Sequence, residues 1–431
     1  MAENILTTIP LNKYKNVKPD WAFFIYFAVI FCLYMNTWIQ LGIQLFIIGY
    51  VVIKKIIDYR ITFKINQIKN VILLILWLGM LALLFYLSTK FWAYSYISGS
   101  RTMLGVFRGF ALGLVIFIYV DSTEKALSLL QSFAYASVIM GVAALITTSP
   151  SQYFQAGEGG FGQVIGQQRN GIGGIAAAMS VASLYLKRYT DFKYGEYLSG
   201  FFVVLTVLTG SRGGMIQLLI LFVLIVIVDK NLYKMMTKAI VFIFTGAIVL
   251  LIMRNVPILY ENVWVRFGGL ITTLSGKAVA DTSTQGREYY KEIAFEMFKQ
   301  RPLLGWGLDG FVCYLRDNPI YNGYYIKAVY SHCNFSELMA NLGIAGLIVW
   351  YVPTFYVLIK GFKYRDYHPL VKILFFLLTS MIILDYARIP WLHHPSLYNY
   401  FIVFLLIQFF SFEAKKLQNK TKKTLNTQKG S

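Results

Sequence analysis

The sequence predicts an all-α membrane protein with about twelve transmembrane helices and one large external loop. Its composition indicates this class, since 57% of the 431 residues are hydrophobic and only 14% are charged. Apolar runs of about twenty residues also recur along the chain, and a helix of that length spans a hydrocarbon core about 30 Å thick. Because lipid cannot hydrogen-bond an open backbone, such runs favour a helical bundle.

The spans can be placed one after another, together with their orientation. They are predicted near residues 20–36, 38–57, 68–88, 102–120, 127–147, 166–186, 196–210, 212–229, 238–253, 333–359, 370–387 and 396–412. The net charge of +20 does not indicate nucleic-acid binding, because the basic residues lie in short segments between spans. With the N-terminus inside, 25 of the 40 lysines and arginines are cytoplasmic, as the positive-inside rule requires. An even number of spans then returns the C-terminus to the cytoplasm.

This pattern divides the chain into four parts. They are an N-terminal bundle of about nine spans, a large external loop, three C-terminal spans and a basic cytoplasmic tail, at 1–253, 254–332, 333–412 and 413–431. The lysines before the first span are followed by no small-residue cleavage site, which predicts a retained span rather than a removed signal peptide.

Cysteine and histidine spacing gives no reason to expect a metal ion or another cofactor. Cys32, Cys313 and Cys333 show no CxxC spacing, and only the last two are placed so that they could pair in the external loop. The four histidines also lack the spacing of metal ligands.

The large external loop is the one extramembrane stretch long enough to form a folded element, and it begins with a predicted helix. DTSTQG is typical of a helix start, the following apolar side chains have three-and-four spacing, and Pro302 should end the helix. We expect its apolar face to lie against the membrane surface or the bundle. Arg287 is predicted in the first turn, where it adds to the positive end of the helix dipole and could bind an anion. The alternative is an ordinary exposed arginine.

Two further arginines are predicted at the external ends of spans. Arg169 and Asn170 open the sixth span, and Arg212 lies in TGSRGG between the seventh and eighth. A charge at the bilayer centre costs about 2.5–3.5 kcal/mol, so Arg212 should lie at the external boundary or face a hydrated cavity. These arginines could contact lipid phosphate as interfacial residues, or they could bind a substrate phosphate.

A polar cluster closes the external loop. PLLGWGLDGF contains Asp309, and a tyrosine-rich segment leads to His332, which opens the tenth span, with Glu337 one and a half turns further on. Lone histidines at a span boundary are most often satisfied polar residues, whereas His332 is also a candidate for chemistry. Asp309, Glu337, Arg169 and Asn170 are candidates for contacts with a substrate.

Taken in order, these motifs resemble the O-antigen ligase and Wzy-type polymerase superfamily over residues 160–350. That family has an external arginine after a mid-chain span, a second arginine in the large loop and a histidine at its end. Here these features fall on Arg212, Arg287 and His332. Cys333 departs from the pattern, because an amide or hydroxyl residue is common after the histidine.

The resemblance implies a GT-C-like, inverting glycosyltransferase in the bacterial plasma membrane, with an external active site. Its donor and acceptor would be polyprenyl-diphosphate-linked glycans, and a chain-length regulator or a flippase would be candidate protein partners. Arginine forms bidentate hydrogen bonds with phosphate, so Arg212 and Arg287 would hold the diphosphate. No DxD motif is present, which argues against a metal-dependent nucleotide-sugar mechanism. Histidine, with an ordinary pKa of about 6.5, suits the general base for an acceptor hydroxyl, so His332 takes that role.

Three functions fit this reading to different degrees. A polymerase, which adds lipid-linked repeat units to one another, is favoured over a ligase, which transfers the glycan to lipid A core. A flippase for lipid-linked oligosaccharides ranks third, because such transporters commonly show internal repeats and midplane binding sites. The chain shows no such repeat, and its candidate polar groups collect on one side of the membrane.

Overall fold

The computed structural model describes residues 14–33, 37–59, 65–149, 160–227, 251, 254–255, 260, 282–318, 329–392 and 394–429. The described residues are mainly helical and contain no β-strand. The all-α class predicted from the composition is therefore confirmed. The ninth predicted span, 238–253, lies outside the described residues except for one position.

The described residues form a series of α-helices. In chain order they are α1 (Trp21–Cys32), α2 (Thr37–Tyr59), α3 (Ile65–Leu87), α4 (Tyr96–Tyr119), α5 (Thr123–Thr147), α6 (Arg169–Tyr189), α7 (Gly195–Leu208), α8 (Arg212–Ile227), α9 (Thr282–Gln300), α10 (Gly310–Asp317), α11 (Asn334–Tyr364), α12 (Pro369–Leu384) and α13 (His394–Lys429). A π-helical turn at Ser88–Trp92 follows α3. The last helix includes the basic residues of the predicted tail.

Eleven of the predicted spans coincide with helices. Within the described residues, six helices are long and apolar enough to cross a membrane, and four shorter helices are apolar. The sixth predicted span corresponds to α6, which belongs to neither group. The protein is therefore a multi-pass membrane protein, and the count of twelve spans and the GT-C-like arrangement stay predictions.

The chain forms two compact units. The first comprises Met1–Tyr50, Glu124–Asp281 and His368–Ser380, and the second comprises Val51–Thr123, Thr282–Tyr367 and Met381–Ser431. In the first unit, α6, α7 and α8 pack on one another. In the second, α11 packs on α3, α9, α10 and α13. Arg169 and Arg212 thus belong to the first unit, and Arg287 and His332 to the second.

The central feature of the second unit is a break in α11 at Gly343, which has φ 61° and ψ −153°. Two hydrogen bonds of the helix are opened there, and backbone groups of the loop segment 302–307 form hydrogen bonds with the groups that are released. Four backbone hydrogen bonds of 2.8–3.1 Å result, with the amides of Trp306 and Gly307 donating to the carbonyls of Ala340 and Asn341, and the amides of Ile344 and Ala345 donating to the carbonyls of Pro302 and Leu303. Each group released by the break thus has a partner, as an apolar environment demands.

Glycine allows the two backbones to approach this closely. A Cβ atom on Gly305 would lie 2.5 Å from the backbone of Asn341, and one on Gly343 would lie 2.6 Å from the backbone of Leu303. Both glycines also have positive φ, a region that costs other residues about 1–2 kcal/mol. Gly305 of PLLGWG and Gly343 of NLGIAG are therefore explained by one contact between these two segments.

A second interruption of α11 is satisfied by a side chain. Pro353 has no amide hydrogen to donate to the carbonyl of Val349, four residues earlier. The indole Nε1 of Trp77, in α3, donates to that carbonyl at 3.0 Å. This hydrogen bond ties α3 to α11 where α11 would otherwise expose a polar group.

The predicted helix of the external loop is confirmed as α9, which ends two residues before Pro302. Its buried side chains, Tyr290, Ile293, Ala294 and Met297, pack with Phe311 and Leu315 of α10 and Ala340 of α11. The apolar face therefore lies against protein. The expected first-turn position of Arg287 is wrong, because α9 begins at Thr282 and Arg287 lies in its second turn. The helix dipole falls off within the first turn, so it contributes less at Arg287 than expected.

Replacing Gly305 by alanine tests the contact at the break. The Gly305→Ala variant should lose at least about 2 kcal/mol of stability, because the new Cβ meets the backbone of α11 and the positive φ is strained. Gly79→Ala is the matched control, since a Cβ there meets nothing within 4 Å and alanine suits a helix interior. Melting in detergent should separate the two variants, and equal melting temperatures would contradict this account.

Candidate functional site

The predicted site residues fall into two groups, one in each compact unit. Arg169, Asn170 and Arg212 lie together in the first unit. Asp309 and Glu337 lie in the second unit, with Arg287 and His332.

In the first unit, the group forms where α6 and α8 begin. Arg169 is the first residue of α6, and Arg212 is the first residue of α8. The hydroxyl of Ser211 donates to Asn170 Oδ1 at 2.9 Å and accepts from the amide of Gly214 at 3.1 Å. Ser211 therefore caps α8 and joins it to the start of α6.

Small residues let these two helix starts pack closely. A Cβ on Gly214 would lie 2.8 Å from the backbone of Gly173, and one on Gly173 would lie 2.7 Å from Cβ of Ser211. Arg169 and Arg212 are both half-buried, whereas Asn170 is exposed. Two neighbouring helix N-termini, each opening with an arginine, form an arrangement suited to an anion, because amide groups and guanidinium groups there carry positive charge.

In the second unit, His332 occupies an uncommon backbone conformation. Its φ is 59°, in the left-handed region, which a non-glycine residue adopts at a cost of about 1–3 kcal/mol. Its ring lies against two tyrosine rings, with centroids 4.4 Å away for Tyr330 and 6.1 Å away for Tyr290. The side chain is half-buried, so it keeps part of its surface accessible.

Arg287 acts electrostatically on the same cluster. Burial raises the pKa of the Tyr330 phenol, the positive charge of Arg287 lowers it, and the negative charge of Glu337 raises it. Tyr330 in turn contacts the ring of His332. The second unit thus brings a cation, an imidazole and a buried carboxylate around one tyrosine.

The two predicted acidic site residues have partners inside the protein. Glu337 is buried, and its carboxylate accepts hydrogen bonds from the amide of Ser331 at 2.7 Å and from Nδ2 of Asn341 at 3.0 Å. Asp309 accepts a hydrogen bond from the hydroxyl of Ser98, in α4. Burial raises the pKa of Asp309, although the hydrogen bond from Ser98 and the charge of Arg316 lower it.

A buried carboxylate that the sequence analysis did not single out fixes the start of α11. Asp385 accepts hydrogen bonds from Nδ2 of Asn334 at 3.2 Å and from the hydroxyls of Tyr351 and Tyr400 at 3.1 and 2.8 Å. Its backbone carbonyl accepts from the amide of Asn334 at 2.7 Å, and Nε of Arg388 lies 4.0 Å from its carboxylate. An acidic residue within the predicted span 370–387 was the available signal.

Lys291 connects α9 to the segment that follows Asp385. Its ammonium group lies 3.6 Å from the ring centroid of Tyr386 and 2.7 Å from the carboxylate of Glu288. Burial lowers the pKa of Lys291, but hydrogen bonds to Glu288 and Tyr386 outweigh it and raise the pKa overall. The helix α9, which carries Arg287, is thereby held by Tyr386 as well as by α10 and α11.

The cysteines, the absence of a predicted metal site and the tyrosine-rich segment were the other predictions that concern the external loop, and the structure describes only some of these residues. Cys313 and Cys333 are both buried free thiols. Within the described ranges, no group of three or more His, Cys, Asp or Glu side chains could hold a metal ion. The tyrosines at 321, 324 and 325 and His393 lie outside the described residues.

Comparison with known families places this site in context. Residues 197–351 match the O-antigen ligase family, so the match includes Arg212, Arg287, Asp309, His332 and Glu337, whereas Arg169 and Asn170 precede it. No curated protein matches the chain. The family indicates a glycosyltransferase-like membrane enzyme that acts on lipid-linked glycans. The match confirms the resemblance read from the sequence, which is to the O-antigen ligase and polymerase superfamily.

Proposed function

We propose that the protein is a membrane glycosyltransferase that polymerises polyprenyl-diphosphate-linked oligosaccharide repeat units into a surface polysaccharide. The observation that carries the proposal is the His332 cluster, where a half-buried imidazole and the charge of Arg287 meet at Tyr330. The match of residues 197–351 to the O-antigen ligase family supports the same substrate class. The active site would face the outside of a bacterial plasma membrane, with both termini in the cytoplasm.

Arg212 and Arg287 would bind the diphosphate of the donor, and Arg169 and Asn170 would add contacts to it. Support comes from the paired starts of α6 and α8, because helix N-termini and arginines both favour phosphate groups. As the bond between the anomeric carbon and the diphosphate breaks, negative charge develops on the leaving oxygen. Fixed cations stabilise that charge more strongly in the transition state than in the ground state.

His332 would accept the proton of the attacking hydroxyl. The acceptor oxygen attacks the anomeric carbon on the side opposite the diphosphate, polyprenyl diphosphate leaves, and the proton passes to the imidazole. One displacement inverts the anomeric centre. Because arginines neutralise the leaving group in this scheme, the proposed reaction requires no divalent metal.

An O-antigen ligase is the second candidate function, and the description of the matching family favours it. The two enzymes share donor and chemistry and differ in acceptor, which is another lipid-linked repeat unit for the polymerase and lipid A core for the ligase. The same residues would therefore serve either reaction.

Charge-removing substitutions test the assigned roles. Arg287→Ala and Arg212→Ala should each lower product formation about 10- to 150-fold, the equivalent of a charge-assisted hydrogen bond of about 1.5–3 kcal/mol. Arg287→Lys should recover only part of the loss, because an ammonium group cannot form the bidentate contact. Lys299→Ala is the matched control on α9, since that lysine is exposed and forms an ion pair with Glu296, one turn away.

His332→Ala should abolish most activity, and a fully active folded variant would remove the role given to that residue.

Product analysis in proteoliposomes tests the reaction itself. Purified protein with lipid-linked repeat units and a chelator should form long glycans that remain on polyprenyl diphosphate, with inverted anomeric centres by NMR. Product that forms only when lipid A core is supplied would replace the polymerase by the ligase. Transfer of the lipid-linked sugar across the bilayer without any new glycosidic bond would overturn both.

A further inference from the structure

A buried chain of hydrogen bonds leads from α10 to the residue before His332. The amide of Phe311 donates to Asn341 Oδ1 at 2.8 Å, Asn341 Nδ2 donates to Glu337 Oε1 at 3.0 Å, and the amide of Ser331 donates to Glu337 Oε2 at 2.7 Å. Ser331 and Asn341 are fully buried, and Glu337 is 1% exposed. These groups therefore depend on one another, rather than on bulk solvent, for their hydrogen bonds.

The direction of each hydrogen bond in this series is fixed by the two groups at the ends of the series. Both ends are backbone N–H groups, which can only donate. An amide at position 341 accepts from Phe311 and must then present its NH₂ group to the side chain at position 337. That side chain consequently has to accept at both of its terminal atoms, which the two oxygens of a carboxylate do and the oxygen and NH₂ group of a carboxamide cannot. The pairing of Asn341 with Glu337 is thus required by chemistry as well as by shape.

The chain ends at a place where the backbone needs support. Ser331 directly precedes His332, whose left-handed conformation persists only when its surroundings over-determine it. The Ser331 hydroxyl spans the histidine, because it donates to the carbonyl of Cys333 at 2.9 Å. Glu337 accepts the hydrogen bond of the Ser331 amide and so fixes that peptide group as well.

We propose that Glu337 is a positioning residue, which holds the Ser331–His332 turn so that the imidazole stays in its reactive place. This role rests on the proposed function of His332 and replaces the substrate contact expected of Glu337 from the sequence. Its two carboxylate oxygens are occupied by Ser331 and Asn341, and burial keeps them from an extended glycan. Asn341 completes the arrangement by linking Glu337 to the start of α10.

A reciprocal exchange tests the proposal. In Glu337→Gln two NH₂ groups face each other between positions 337 and 341, and in Asn341→Asp two carboxylates do. In the double variant Glu337→Gln/Asn341→Asp, the hydrogen bond between these two positions runs in the opposite direction, from the side chain at 337 to the side chain at 341. The introduced aspartate then accepts from the amide of Phe311 and from the introduced glutamine, whose own carbonyl oxygen accepts from the amide of Ser331. The double variant keeps the net charge of the wild type and the same kinds of polar group, so it is a matched rescue.

Steady-state kinetics provide the first readout. Each single variant should lower kcat about 10- to 100-fold, since a displacement of about 1 Å in a reacting group costs about that much, while KM for the lipid-linked donor changes less than about threefold. The double variant should return kcat to within about fivefold of wild type. Loss of kcat that follows only the fraction of folded protein, or a double variant no better than the singles, would overturn the positioning role.

A second readout does not depend on catalysis. The chain has only four histidines, so selective isotope labelling allows the His332 backbone and ring signals to be assigned by comparison with His332→Ala. Glu337→Gln should shift those signals, and the double variant should restore them. Unchanged His332 signals in Glu337→Gln would refute the proposal even in an active enzyme. Shifted and restored signals in a protein without transferase activity would instead leave the positioning intact and refute the proposed function.

Discussion

The second unit depends on one constraint, which is that a peptide group opened inside an apolar helix must find another partner. At Gly343 the helix α11 gives up two of its own hydrogen bonds, and the segment 302–307 supplies four in return. An unpaired peptide group in an apolar medium costs several kcal/mol, so neither segment can keep this shape without the other. The segment 302–307 is therefore fixed to α11 by backbone contacts.

The same contact reaches the candidate site through Asn341. The carbonyl of this residue lies in the break and accepts from Gly307, while its side chain connects the amide of Phe311 to Glu337. One residue thus belongs both to the opened helix and to the support of the histidine turn. Asn341 therefore combines a structural role with a proposed functional one, because the loop that pairs with the break also leads into α10.

How much of the structure could be predicted from the sequence depended on how far apart the interacting residues lie along the chain. The presence of α9 followed from apolar side chains three and four residues apart, and its end followed from Pro302; both are local signals. The break at Gly343 has no local signature, since its glycine-rich sequence is equally typical of close helix packing. Its cause lies about forty residues earlier, in the segment that pairs with it. Asp385 was missed for the same reason, because its partners include Asn334, Tyr351 and Tyr400 from other parts of the chain.

The anchoring of Ser331 and Asn334, on either side of His332 in the chain, has a consequence for acceptor choice. On one side the amide of Ser331 is bound by Glu337, and on the other Asn334 is bound by Asp385 through its backbone and its side chain. The intervening backbone consequently has little freedom, and the imidazole can move chiefly by rotation about its own side-chain bonds. In the proposed reaction the sugar would have to adjust to a proton acceptor whose backbone is held in place, so the shape of the incoming glycan would select which of its hydroxyl groups forms the new linkage.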